Sequence, residues 1–202
     1  MKPEFLFDFG SPNAYIAHTQ IPGIESRTGV AVEYVPVLLG GVFKLTGNVS
    51  PVEAFKSVPA KLEYFRQDIR DWVESLGIPY RRNPHFPVMT LGIMRGAVAL
   101  LGTDRFADYV ETVFRAMWVD EKKMDDPAVI GEVLTAAGFD SEAIFARTRE
   151  PEVKQKLVEL TRAAVDRGVF GSPAFFAGDR QFFGKDRMHL FEAAIVRGPR
   201  AT

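Results

Sequence analysis

The sequence predicts an α/β fold in which the two ends of the chain build one sheet and the middle of the chain forms a large helical insertion. Short apolar runs typical of strands occur near both ends of the chain. Helix starts and helical patterning dominate the stretch between about residues 50 and 167. We therefore expect one domain built from residues 1–49 and 168–202, interrupted by a helical domain at residues 50–167.

The first end of the chain predicts a strand, a helix and a second strand. The aromatic-rich run 5–9 is followed by Gly10 and predicts a buried strand, and the β-branched run 30–37 predicts another. Ser11 followed by Pro12 is typical of a helix start, because serine caps the first turn and proline fits its first position. This order predicts a βαβ unit with two parallel strands.

The middle of the chain predicts a loop and then helices. Residues 38–48 contain several glycines, including Gly40 and Gly41, and predict the loop. Ser50, Pro51 and Glu53 form a capping box with proline at the first helical position, which predicts that the first inserted helix begins there.

The last part of the chain predicts a β-hairpin followed by a helix. Two short apolar runs flank a turn at residues 177–180, which contains glycine and aspartate. Proline at the start of the first of these strands lacks the N–H that a central strand needs, and we predict that the bond between Ser172 and Pro173 is cis. Lys185 and Asp186 then open an amphipathic helix.

Composition excludes several classes of function. The 202 residues carry a formal net charge of -1, so no bulk attraction to nucleic acid or to an anionic membrane is expected. There are no cysteines, which excludes disulfides, dithiol redox chemistry and a thiol nucleophile belonging to the protein. Any sulfur nucleophile must therefore come from a bound molecule. The three histidines lack the spacing of metal ligands, so we expect no metal site.

Nothing in the chain indicates a membrane span or an export signal. No stretch approaches the roughly 20 apolar residues that a transmembrane helix needs. The start of the chain, with Lys2 and Glu4 around Pro3, is too polar for a signal peptide. We expect a cytoplasmic protein.

Ser11 is the first candidate for chemistry. It stands at a strand-to-helix junction, where unpaired N–H groups and the helix dipole stabilise an anion. A hydroxyl at this place is suited to donate a hydrogen bond to a bound thiolate and so to lower the pKa of the thiol. A simple helix cap explains the same pattern. A nucleophilic serine is less favoured, because no G-x-S-x-G motif surrounds it.

An ordered set of motifs covers nearly the whole chain. The motifs are Phe7-Asp8-Phe9-Gly10-Ser11-Pro12 with Tyr15, Leu39-Gly40-Gly41-Val42-Phe43-Lys44 with Thr46-Gly47-Asn48, Phe86-Pro87, Met94-Arg95-Gly96-Ala97, Met117-Trp118-Val119, Gly168-Val169-Phe170-Gly171-Ser172-Pro173, Phe183-Gly184 and Asp186-Arg187. In this set the chain resembles the 2-hydroxychromene-2-carboxylate isomerases, which are related to kappa-class glutathione transferases and more distantly to DsbA-type oxidoreductases. The resemblance implies a thioredoxin-like fold with a large all-helical insertion, and a homodimer.

The resemblance also implies a glutathione site. The thiol lies against the serine matching Ser11, and the residues matching Asn48 and Lys61 reach the tripeptide. The residue matching Ser172, before Pro173, pairs with its backbone. The aspartate matching Asp186 holds the γ-glutamyl end, and Lys185 beside it suits the carboxylate there. Without the resemblance, a turn-to-strand boundary explains Pro173 equally well, and a helix cap is the simpler explanation of Asp186.

The implied reaction is a glutathione-dependent cis–trans isomerisation of an aromatic conjugated acid, which opens a hydroxychromene carboxylate to a benzylidenepyruvate. Two alternatives stay open, a kappa-like glutathione transferase and a non-catalytic module that binds glutathione or a peptide. The chain departs from the family pattern at two positions. Lys185 replaces a common serine or asparagine, and Met89 replaces a frequent asparagine in the region expected to meet the aromatic substrate.

Overall fold

One mixed sheet holds the two ends of the chain together in the structure, a computed structural model that describes residues 2–198. Its strands are β1 (Glu4–Phe7), β2 (Glu33–Pro36), β3 (Ala174–Ala177) and β4 (Arg180–Phe183). They lie in the order β2–β1–β3–β4. Strand β1 is parallel to β2 and antiparallel to β3, and β3 and β4 form a hairpin. The predicted α/β class, parallel pair and hairpin are therefore confirmed.

The helices differ from the prediction in the first part of the chain. They are α1 (Pro12–His18), α2 (Ile21–Thr28), α3 (Leu39–Thr46), α4 (Pro51–Ala54), α5 (Pro59–Leu76), α6 (Leu91–Leu100), α7 (Phe106–Trp118), α8 (Pro127–Ala136), α9 (Ser141–Arg149), α10 (Pro151–Asp166) and α11 (Met188–Arg197), with a 3₁₀-helix at Lys185–Arg187. Two helices, α1 and α2, connect β1 to β2 where the sequence predicts one.

Helix α3 corrects the prediction of a loop at residues 38–48. Glycine lowers the intrinsic stability of a helix, which is why the sequence favoured a loop. Tertiary contact outweighs this effect, because a Cβ on Gly41 would lie 3.1 Å from Cγ2 of Thr161, so glycine lets α3 approach α10 closely. The Thr161 hydroxyl also accepts a hydrogen bond from the Leu38 N–H at 3.0 Å, just before the helix begins.

Strand β1 lies inside the sheet and sends its side chains alternately to the two faces. Phe5 and Phe7 are fully buried on one face, where the ring of Phe5 stacks on Phe175 with 5.2 Å between centroids. Leu6 packs on the other face, in a cluster that includes Ala164 of α10. Segments from both ends of the chain and from the insertion therefore converge around the carboxyl end of β1.

The division into two domains remains a prediction. Helix α10 falls within the predicted insertion at 50–167, yet it packs against α3 and β2 and covers one face of the sheet. Residues 199–202, at the end of the predicted second segment, lie outside the described residues.

Candidate functional site

Ser11 caps α1 as the sequence predicts, and the structure gives its hydroxyl a second contact. The backbone of Ser11 is extended, Pro12 is the first helical residue, and Oγ accepts a hydrogen bond from the Ala14 N–H at 3.2 Å. The same Oγ donates to the carbonyl oxygen of Ser172 at 2.9 Å, across 161 residues of sequence. Because Ser11 is only 5% exposed, this bond is shielded from water. Its hydroxyl proton is therefore already engaged, and a bound thiolate would have to compete for it.

Ser172 approaches the same place from the other end of the chain. The Ser172–Pro173 peptide bond is cis, as the sequence predicts, and it stands directly before β3. The Ser172 hydroxyl accepts a hydrogen bond from the Asp8 N–H at 3.1 Å, which fixes the segment to the carboxyl end of β1. The structure thus brings together Ser11, Ser172 and Pro173, three of the predicted site residues.

Asn48 lies beside this pair. Its side-chain Nδ2 donates to the carbonyl oxygen of Phe170 at 2.9 Å, and Phe170 belongs to the segment that leads into the cis proline. Its Oδ1 accepts from the N–H of Val49 at 2.9 Å. The loop after α3 is therefore tied to the loop that carries Ser172.

Lys61 lies near the start of α5, in a group of side chains separate from the one around Ser11 and Ser172. Its ammonium sits over the ring of Phe55, 5.3 Å from the centroid. It lines an apolar pocket of about 450 Å³ formed by α5 and by Phe55, which directly follows α4. The lining residues are Phe55, Ala60, Lys61, Tyr64, Phe65 and Asp68.

Lys185 and Asp186 adjoin this second group, in the 3₁₀-helix that packs against α1. Lys185 is buried, and its ammonium forms an ion pair with Asp68 at 2.5 Å and faces the ring of Trp72. Asp186 is partly exposed and pairs with Arg187 at 2.5 Å. The alternative role of Asp186 as a helix cap is wrong, because α11 begins at Met188 without a side-chain cap.

Asp8 and Thr90, to which the sequence alone assigned no role, are buried beneath the site. Asp8 is fully buried and accepts hydrogen bonds from the Gly10 N–H, the Leu39 N–H and the Thr90 hydroxyl. Burial raises the pKa of the Asp8 carboxyl above its ordinary value, and the hydrogen bonds oppose that rise. The signal in the sequence is an acidic residue between two phenylalanines, at the end of the buried strand β1.

Met89, the second departure from the family pattern, is 72% exposed and directly precedes Thr90. The Cγ2 atom of Thr90 would lie 3.0 Å from a Cβ on Gly10. Met89 therefore stands close in sequence to a residue that packs on the turn before Ser11.

Two kinds of feature are not found in residues 2–198. Acidic, histidine and cysteine side chains form no cluster that would hold a metal ion. Among the same residues, no helix has both the length and the apolar character needed to cross a membrane.

Comparison with known proteins places this geometry in a family. The model of the DSBA-like thioredoxin domain matches residues 4–196. A 2-hydroxychromene-2-carboxylate isomerase from Pseudomonas putida is 32% identical over 203 aligned residues, which cover 98% of this chain and 95% of the relative. The chain belongs to the DSBA-like thioredoxin domain family and, within it, to the 2-hydroxychromene-2-carboxylate isomerase family.

Other similar proteins are consistent with this assignment. The solved structure of a 2-hydroxychromene-2-carboxylate isomerase superposes with a TM-score of 0.85 at 28% identity, covering 98% of this chain and 95% of the other. Glutathione S-transferase kappa 1 from Caenorhabditis elegans is 29% identical, over 97% of this chain and 91% of the relative. The thioredoxin-like fold with many added helices is therefore shown. Because this chain has no cysteine, the DSBA-like family does not bring its dithiol chemistry here.

Proposed function

We propose that the protein is a glutathione-dependent isomerase of aromatic conjugated acids that resemble 2-hydroxychromene-2-carboxylate. The observation that carries the proposal is the buried hydrogen bond between Ser11 and Ser172, just before strand β3, in a chain without cysteine. The names of the relatives support the chemistry, since they include an isomerase and glutathione transferases.

The backbone of Ser172 fits a bound tripeptide. Its N–H donates a hydrogen bond to no group in the described part of the chain, and its carbonyl accepts one only from Ser11. A free N–H and a carbonyl with a spare lone pair, directly before a strand, suit an extended peptide that adds to the end of the strand. We assign these two groups to the backbone of the cysteinyl residue of glutathione.

When bound, glutathione supplies a thiol that adds reversibly to a conjugated carbon and so lets the former double bond rotate. Ser11 contributes by turning its hydroxyl proton from the Ser172 carbonyl to the sulfur. A hydrogen bond to the charged form lowers the pKa of a thiol, so more of it is thiolate near neutral pH. Donors aimed at developing charge are a main source of catalytic power in a buried site.

The remaining candidates hold the ends of the tripeptide in this proposal. The carboxylate of Asp186 pairs with the γ-glutamyl ammonium, Asn48 and Lys61 reach the rest of the molecule, and Pro173 shapes the segment that presents Ser172. Lys185 is neutralised by Asp68, so it reaches a bound carboxylate only by breaking that ion pair. We therefore assign the γ-glutamyl end chiefly to Asp186.

Two measurements test the proposal. Calorimetric titration should detect glutathione binding at millimolar or lower concentration, and S-methylglutathione should bind without supporting turnover. Product analysis with a hydroxychromene carboxylate should then show that the two isomers reach equilibrium with less than one equivalent of glutathione and that no glutathione is consumed. Absence of binding contradicts the proposal. Stoichiometric consumption of glutathione would establish the transferase instead, and binding without turnover would establish the non-catalytic module.

The proposed setting is a cytoplasmic homodimer. The homodimer comes from the family resemblance, and the cytoplasm is proposed because it holds a glutathione pool. Light scattering coupled to size-exclusion chromatography measures the mass directly, and a mass of one chain would contradict the dimer.

A further inference from the structure

The carboxyl group of Asp8 joins segments that are far apart in sequence. Its Oδ1 accepts from the Gly10 N–H at 2.8 Å, and its Oδ2 accepts from the Leu39 N–H at 2.7 Å and the Thr90 hydroxyl at 3.1 Å. These donors belong to the turn before Ser11, to the start of α3 and to the residue before α6. One buried side chain therefore sets the relative positions of three segments.

The backbone of Asp8 contacts both serines of the candidate site. Its carbonyl accepts from the Ser11 N–H at 3.1 Å, and its N–H donates to the Ser172 hydroxyl at 3.1 Å. Since Ser11 also donates to the Ser172 carbonyl, the three residues form a closed ring of hydrogen bonds. A displacement of Asp8 is therefore transmitted to the hydroxyl of Ser11 and to the backbone of Ser172.

The chemistry of the donors specifies a carboxyl group at this position. Two of its three partners are backbone N–H groups, which can only donate, and they contact different oxygens. An asparagine has one oxygen, so its NH₂ group would face either the Gly10 N–H or the Leu39 N–H. A buried donor facing a donor loses its hydrogen bond, so one of the two segments has to move.

Packing leaves the turn before Ser11 little room. A Cβ on Gly10 would lie 3.0 Å from Cγ2 of Thr90 and 3.3 Å from Oδ1 of Asp8. Thr90 thus contacts the turn through its methyl group and holds Asp8 through its hydroxyl. Gly10, which has no side chain to clash here, therefore packs with Asp8 and Thr90 as one unit beneath the site.

We propose that Asp8 is a positioning residue which, held by Thr90, aligns the Ser11 hydroxyl and the Ser172 backbone with the bound thiol. This inference rests on the proposed function, because the thiol belongs to glutathione. A purely structural role for Asp8 would change the amount of folded protein but not the properties of each folded molecule.

Kinetics of three variants test the inference. Asp8→Asn should lower kcat by about tenfold or more and change the KM for glutathione by less than about threefold, because small misplacement of a catalytic group costs rate more than binding. Thr90→Val should show a smaller fall of the same kind. Thr90→Ser keeps the hydroxyl that holds Asp8 and loses only the methyl contact with Gly10, so its kcat should lie closer to that of the parent. If Asp8→Asn fails to fold, the comparison of Thr90→Val with Thr90→Ser still tests the inference. Equal kcat values for Thr90→Val and Thr90→Ser, or parent kcat in folded Asp8→Asn, overturn the inference.

A second readout does not need turnover and so separates this inference from the proposed function. Backbone amide signals of Ser11 and Ser172 in an NMR spectrum of Thr90→Val should shift relative to the parent, while those of Ser50, a cap elsewhere in the chain, should not. Unchanged signals at both site serines contradict positioning by Asp8, whether or not the parent turns over a substrate. If the parent shows no glutathione-dependent turnover but the amide signals shift in Thr90→Val, only the proposed function is overturned.

Discussion

The chain contains two serine–proline helix starts that are nearly identical in local structure and different in surroundings. Ser11 accepts from the N–H three residues later at 3.2 Å, and Ser50 accepts from the corresponding N–H of Glu53 at the same distance. Each is followed by proline at the first helical position. Ser11, however, also donates to Ser172 from a buried position, whereas the cap at Ser50 is exposed and starts a four-residue helix with no buried residue.

The difference shows how a common local motif acquires a second role. The cap itself needs only residues close in sequence, so both serines form it. The second bond of Ser11 needs a partner from the far end of the chain, which the sheet supplies by pairing β1 with β3. Burial increases the free energy that would be lost with this bond, because a polar group left unpaired away from water destabilises the protein more than an exposed one.

The largest effect is expected from Ser11→Ala. It should lower the free energy of unfolding by roughly 2–3 kcal/mol, the sum of a lost cap and an unpaired buried carbonyl. It should also raise the pKa of the bound thiol, so kcat near neutral pH falls by about tenfold per pKa unit and the pH–rate midpoint moves upward. Urea denaturation and pH–rate profiles measure the two effects.

Ser50→Ala is the matched control for this variant. It removes the same kind of cap, so stability should fall by at most about 1 kcal/mol, and turnover and its pH midpoint should not change. If the pH–rate profile of Ser11→Ala overlays those of the parent and of Ser50→Ala, Ser11 is only a helix cap and the two serines do not differ in function.

Asp186 extends the comparison, because it resembles a helix cap in sequence and caps nothing in the structure. Asp186→Ala should weaken glutathione binding by roughly 1–3 kcal/mol, the range for hydrogen bonds to charged groups. Its exposed ion pair with Arg187 contributes little, so stability should change by less than about 0.5 kcal/mol. Titration calorimetry and thermal melting measure these values. Parent-like affinity would remove Asp186 from the site.

The smallest effects are expected at Gly40 and Gly41 of α3. Like the two serines, these glycines share a local structure and differ in their tertiary contacts. A Cβ on Gly40 would meet no atom within 4 Å, so Gly40→Ala should stabilise the protein by about 0.5–1 kcal/mol. Gly41→Ala should destabilise it by roughly 1 kcal/mol, since the added methyl presses on Thr161. Denaturation midpoints measure both, and equal shifts would show that α3 does not depend on close approach to α10.

The sequence alone determined the features that depend on neighbours in the chain. The strand predicted from the aromatic run 5–9, the Ser11 cap and the turn at 177–180 follow from residue preferences over a few positions. The structure has all three, with the strand at Glu4–Phe7. The absence of cysteine fixed the source of any thiol without reference to the fold. The order of the predicted strands and helices gave a sheet built from both ends of the chain, and the family motifs added that its fold is thioredoxin-like.

Only the tertiary structure decided what depends on distant partners. It showed α3 where glycines predicted a loop, because Gly41 packs on Thr161, and it engaged Lys185 with Asp68. It also placed Asp8 beneath the site, in contact with both Ser11 and Ser172. The physical reason is common to all of these. A buried hydrogen bond or close contact gains its strength from groups that the fold brings together from far along the chain, and no local pattern records which groups will meet.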